Sequence, residues 1–418
     1  MRSFLVATAT AALLLPVSMS PTASAGASST RAAERQITYT QWDGGAQWRQ
    51  GAFTGTRLAK GRLAMKPASA TPATRSYAGR RYESGRWDSP WVSPGFGLTR
   101  LIASWSASTP GDTWVEIKVR GRAAAGATSS WDVLGRWTSS DRYTQRRSVS
   151  GQTDDLARVN VDTWEAADAA GLTAYQIRVQ LHRKAGSKAS PSVDVVGAVA
   201  SRLPAGRVPT SAPGPGRGVV LDLPRYSQMI HRGHSPQWGG GGQAWCSPTS
   251  TSMVLGYYDA LPEPSAYRWV PAGHPDPWVD HAARQTFDYD YDGAGNWPFN
   301  TAYAAPLAGK AFVTRLRSLR EAEDLIVAGI PVIVSISFSA GELTGAPISA
   351  TDGHVLVVVG FTDSGDVVVN DPAASASAGV RRIYDRAQFE NAWLPTSGGT
   401  AYVIHDRAHR LPPGHTNW

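Results

Sequence analysis

The stretch AYQIRVQLH, residues 174–182, alternates without a break, with Tyr175, Ile177, Val179 and Leu181 on one side and Gln176, Arg178, Gln180 and His182 on the other. A period of two fits a strand with one buried face, and a wet second face points to antiparallel neighbours. TWVEIKVRGR (113–122) repeats the pattern through Val115, Ile117 and Val119. LTRLIASWSA and PSVDVVGAVAS read as further strands, set apart by turn residues such as TPGD. Together they predict an all-β sandwich, jelly-roll-like, over residues 36–203. VDTWEAADAAG (161–171) alone has helical texture and reads as a short helix or a loop.

Proline and glycine crowd RLPAGRVPTSAPGPGRG, 202–218, which disfavours helix and ladder alike and marks an interdomain linker, drawn at 204–218. Beyond it the texture changes. SPTSTSMVLGYYDAL (247–261) predicts a helix with Pro248 in its first turn, and SLREAEDLIVAG (318–329) a helix ended by Gly329. IPVIVSISF (330–338) is a buried strand, and GHVLVVVGFTDSGDVVVNDP (353–372) gives two strands joined at DSGD. The fold class expected is therefore two domains, the β-sandwich followed by an α+β domain over 219–418.

Residues 1–25 join a positive start at Arg2, the apolar run FLVATATAALLLPV and a small-residue ASA ending at Ala25, the pattern of a secretory signal peptide. The run is shorter than the roughly 20 residues a span needs, so no membrane span is expected and the mature chain is placed outside the cell. One cysteine, Cys246, cannot make an intramolecular disulfide, which leaves packing as the source of stability. Residues 26–215 carry 26 Lys and Arg against 14 Asp and Glu, whereas residues 216–418 carry 14 against 19. A basic N-terminal half outside the cell suggests a cell-wall polyanion or polysaccharide as partner, or merely a solvated arginine-rich surface. Its nine tryptophans, among them Trp87, Trp91, Trp105, Trp114, Trp131 and Trp137, suit either a sugar-stacking platform or the core. Charge without a motif does not support nucleic-acid binding.

A lone thiol outside the cell is either a small buried filler or a reactive group. Cys246 opens a predicted helix, where backbone N–H groups and the macrodipole favour a thiolate. A thiolate needs a proton partner and something to orient it. Of nine histidines, His354 opens VLVVVGF, and a hairpin turning at 363–366 brings it close to opposite Asp371.

LDLPRYSQ (221–228), WCSPTSTSMVLGYY, GHVLVVVGF and VVVNDP, in that order, resemble the bacteriocin-processing leader peptidase family, in its stand-alone secreted branch, within the papain-like superfamily. The resemblance covers residues 221–404. It implies a papain-like cysteine peptidase fold, Cys246 as nucleophile, His354 as general base and acid, Asp371 as orienting residue, and a glutamine that helps stabilise the oxyanion. Gln228 has the matching context, although HRGHSPQWGGGG lies between it and the cysteine; Gln243 is nearer in sequence but close enough to point away from the thiol. Ser247 stands where the family usually has glycine, so its side chain is expected to narrow the oxyanion site.

DYDYDGAGNW (288–297) copies the start of a calcium loop but has Phe299 at the twelfth position. GNWPFNTAYA reads instead as a cleft loop. HRGH offers His231 and His234 without a clear third ligand and reads as a solvated loop. The expectation is a secreted, monomeric cysteine peptidase that acts on a peptide or protein and needs no metal or other cofactor, with a basic β-sandwich for targeting. The alternative is an inactive cell-surface or carbohydrate-binding protein that keeps the peptidase fold.

Overall fold

The computed structural model describes residues 34–67, 73–153 and 155–418, so the signal peptide expected at 1–25 lies outside the described residues. The N-terminal half is built from two antiparallel sheets. One contains Gln36–Asp43, Thr56–Ala59, Arg62–Met65, Arg100–Ser108, Ala157–Asn160, Thr163–Ala166 and Ser192–Arg202; the other contains Ala52–Thr54, Thr74–Tyr77, Arg80–Asp88, Thr113–Arg122, Asp132–Trp137 and Ala174–Lys184. The alternating strand Ala174–Lys184 sits in the second sheet, with Val179 paired to Ile117 on one side and Trp87 on the other. Ile177, Val179 and Leu181 are buried in a core shared with Leu101, Ile102 and Val199 of the first sheet. Its polar face is wet only in part. His182 is buried against Trp114, and Glu116 is buried under Arg75, Lys118 and Arg136, which supply the positive charge a buried carboxylate requires.

One reading of this half changes, and one left open is resolved. Thr163–Ala166, inside the stretch with helical texture, is a strand paired with Ala157–Asn160 and with Leu101 and Arg100. Trp87, Trp105, Trp114 and Trp137 are core residues. Trp91 and Trp131 are only half-buried, but guanidinium groups of Arg122 and Arg178 lie 4.0 Å from their ring centres.

The short helix α1 (Gly44–Trp48) belongs to this half. The C-terminal half is a six-stranded antiparallel sheet in the order Lys310–Arg315, Thr400–His405, Val332–Phe338, Thr351–Phe361, Val367–Asn370, Arg381–Tyr384. Around it lie α2 (Cys246–Tyr257), α3 (Pro277–Thr286), α4 (Trp297–Ala308), α5 (Leu319–Val327) and α6 (Arg386–Trp393). Every residue from Ser247 to Leu255 in α2 is buried, and two of its serines are bonded there: Ser250 Oγ donates to Val355 O of the sheet, and Ser252 Oγ back along the helix to Pro248 O. GNWPFNTAYA is not a loop. Asn296 caps α4 by accepting from Phe299 N at 3.1 Å, Pro298 sits in the first turn, and Gly309 ends it at φ 119°.

The two halves share one hydrophobic core. Trp105 and Trp137 pack on Phe299 of α4, and Val313 N donates to Ser104 Oγ at 2.7 Å. Residues 204–218 form no helix or strand, yet they are docked: Ser211 N and Oγ donate to Glu390, and Arg386 Nε donates to Ser211 O. No described helix is long and apolar enough to cross a membrane.

Candidate active site

Cys246 is the first residue of α2, and the residue before it is anchored: Trp245 is fully buried and its Nε1 donates to Trp238 O at 2.8 Å. His354 is the fourth residue of strand Thr351–Phe361, paired across to Ile336. Asp371 follows the neighbouring strand, one residue past the pair Val357–Asn370, which sets it diagonally across from His354. His354 Nε2 lies 2.8 Å from Asp371 Oδ1 with both side chains buried, and His354 lines the same cleft as Cys246. Asp371 is itself held, its Oδ1 by Ala373 N at 3.0 Å and its Oδ2 by the Tyr384 hydroxyl at 2.7 Å.

Burial alone would push the Cys246 thiol up, but the hydrogen bond and charge of His354 and the backbone N–H groups of Val355 and Ser247 bring it below its ordinary value. Burial pulls His354 down; the Asp371 carboxylate overrides it and, with Cys246, lifts the imidazole to about 10. Asp371 is held below the usual carboxylate range because His354, Tyr384 and Ala373 outweigh the cost of burial. Every partner therefore favours the charged forms, thiolate beside imidazolium beside carboxylate.

The glutamines separate cleanly. Gln228 is buried, its N donates to Pro372 O at 2.9 Å next to Asp371, and its Nε2 donates to Gln243 O at 2.7 Å. It lines the same cleft as Cys246 and His354. The Gln243 side chain is exposed and turns back to Gly240 O. Ser247, expected to narrow the oxyanion site, is fully buried and directs its hydroxyl to Tyr402 Oη at 3.0 Å.

The cleft has a volume of about 860 Å³ and is not made by the C-terminal half alone. The turn 160–163, between two strands of the N-terminal half, forms part of its wall with Arg100 and Glu165, as do Tyr291 and Trp297 of the C-terminal half. Asp162 at that turn accepts from Trp297 N at 3.3 Å, and burial, partly opposed by Trp297 N and Thr163, raises it to about 6. Nothing in the sequence marks this turn as part of a site: its residues belong to the other half and carry no motif.

The two remaining motifs resolve differently. Asp288 spends its oxygens on Ser148 N, Asp290 N, Tyr291 N and Asn296 Nδ2, so the DYDYDG segment is a hydrogen-bonded turn. HRGH is not a solvated loop. His231 is fully buried, and both His231 and His234 turn Nδ1 to Asp280 of α3, at 3.0 and 3.1 Å. The third group that the local sequence lacks comes from 49 residues further on.

Residues 38–201 match the family model described as Peptidase C39 N-terminal domain, and residues 220–401 match the Peptidase_C39 like family. These matches support a cysteine peptidase of the C39 family. No curated protein matches the chain.

Proposed function

We propose that this chain, with C39-type domains in both halves, is a secreted peptidase that hydrolyses peptide bonds through Cys246, His354, Asp371 and Gln228. The observation that carries the reading is a buried imidazole held by Asp371 Oδ1 at 2.8 Å on Nε2 and near enough to the Cys246 thiol at the mouth of α2 for each to favour the other's charged form. In this scheme the Cys246 thiolate attacks the scissile carbonyl. The oxyanion accepts hydrogen bonds from Cys246 N and Gln228 Nε2, and the His354 imidazolium gives its proton to the departing amine. The thioester left on Cys246 is then cleaved by a water whose proton returns to His354. Asp371 keeps the ring oriented and its cationic form stable.

The fold class that suits this chemistry is a jelly-roll-like β-sandwich followed by a papain-like α+β domain. The cleft wall at 160–163 gives the N-terminal half a role in receiving substrate, beside any part in attachment to a wall polyanion or polysaccharide. A protein or peptide substrate would lie across Cys246, between Trp297 and the strand that carries His354. The test is a peptide-library digest, comparing the full chain with Cys246→Ala: the proposal expects defined cleavage products that vanish in the variant, and products of equal yield from both would overturn it.

A further inference from the structure

Asp280 lies at the centre of a cluster that the peptidase chemistry does not use. It is fully buried, and it faces His231 Nδ1 at 3.0 Å, His234 Nδ1 at 3.1 Å and His274 Nδ1 at 3.7 Å. Among the described residues no lysine or arginine pairs with it. One ligand atom from each of His231, His234 and Asp280 lies within 4.8 Å of the others. Among the described residues, His231 Nε2 and the same His274 Nδ1, too far from Asp280 for a hydrogen bond, are buried without a hydrogen-bond partner. A buried carboxylate must be matched by cationic imidazoles or by a metal ion.

We propose that His231, His234 and Asp280, with His274 as fourth ligand, form a structural site for a divalent zinc-class transition metal. Ligand atoms around a tetrahedral ion at about 2.0–2.2 Å stand about 3.3–3.6 Å apart; from the single oxygen Asp280 Oδ2, His231 Nδ1 stands at 3.0 Å and His234 Nδ1 at 3.5 Å, close to that spacing. Imidazole nitrogen selects zinc, copper, nickel or cobalt over calcium and magnesium, which take oxygen. The rings of His234 and His274 stack at 3.6 Å, so His274 has to turn about its side-chain bonds to complete the set. Its side chain is 26% exposed, which leaves room to do so.

The location gives the ion a task. His231 ends the 3₁₀ turn that begins at Gln228, His234 stands in the glycine-rich loop leading to Cys246, and Asp280 is on α3. A metal here would tie the glutamine-bearing turn and the loop before the cysteine to one helix. The segments are already close: a Cβ on Gly242 would fall 2.2 Å from the His231 backbone carbonyl.

The test uses the full chain carrying Cys246→Ser, so that no thiolate competes for metal, stripped with chelator and titrated with Zn²⁺ and Co²⁺. The proposal expects about one equivalent of either ion, intense visible Co²⁺ bands of a four-coordinate site, and a rise in melting temperature with Zn²⁺. His234→Gln and His274→Gln should each weaken zinc binding by about tenfold or more. Because Asp280→Asn and His231→Ala alter fully buried groups and can fail to fold, the two partly exposed histidines carry the decision. Failure to bind zinc at micromolar concentration would overturn the proposal, as would binding undiminished in both glutamine variants.

Discussion

Tyr384 donates its hydroxyl to Asp371 Oδ2 at 2.7 Å, on the carboxylate oxygen that His354 leaves free. The tyrosine is fully buried, so this bond fixes the plane of the carboxylate and through it the imidazole. Tyr384→Phe leaves that oxygen short of a donor in a dry site, at a cost of about 1.5–3 kcal/mol for a hydrogen bond to a charged group. As a positioning residue it should lower kcat by roughly tenfold with little change in KM, and shift the acid limb of the pH–rate profile upward. An unchanged profile would assign Tyr384 to packing alone.

The charged pair also sets a pH dependence of stability. The His354 imidazole is raised from its ordinary value to about 10, so its contribution is fully present below about 6.5 and is lost as pH rises through about 10. Asp371 is depressed, so its contribution is present above about 4 and disappears as pH falls. Denaturant unfolding of the wild type against His354→Asn should show a difference on the order of a few kcal/mol at pH 7 that narrows by pH 11. A difference that does not vary over this range would contradict the pairing.

Asp162 places a carboxyl with a raised pKa of about 6 in the cleft wall, beside Trp297. Above that pH the wall gains a negative charge; below it the charge is gone. KM for a cleaved peptide should therefore step near pH 6, and Asp162→Asn should abolish the step while changing KM by up to about tenfold, or about 1.4 kcal/mol. The rate at which Cys246 is alkylated should stay as in the wild type, since the turn touches the substrate space and not the thiol.

Phe299 joins the halves by packing under Trp105 and Trp137, and it is fully buried. Phe299→Ala should cost about 3–5 kcal/mol. Because the core is continuous across the halves, calorimetry should show one transition in the wild type, and two resolved transitions would mean that the halves unfold separately.

Much of this arrangement is legible from local pattern. The period of two in residues 174–182 and the apolar run after His354 both lie in strands, and the start of α2 falls at Cys246. The hairpin that carries His354 and Asp371 could be read because its turn, DSGD, fixes the pairing to within a residue or two. Helix α4 was obscured by its tryptophan and two prolines, although Asn296 and Gly309 are sound capping signals. Two features were out of reach for a different reason. The turn 160–163 reaches the cleft, and Asp280 reaches His231, only through tertiary packing between distant segments, which alternation and spacing along the chain do not encode.

The central claim is that His354 activates the Cys246 thiol, and the most direct measurement is its alkylation by iodoacetamide near neutral pH in native wild type, native His354→Ala and denatured wild type. The account expects native wild type to react fastest and the native variant to fall below the denatured chain, because desolvation pushes the partly exposed thiol up once its imidazole partner is gone. A native thiol that reacts only after unfolding, or at the same rate with and without His354, would contradict it.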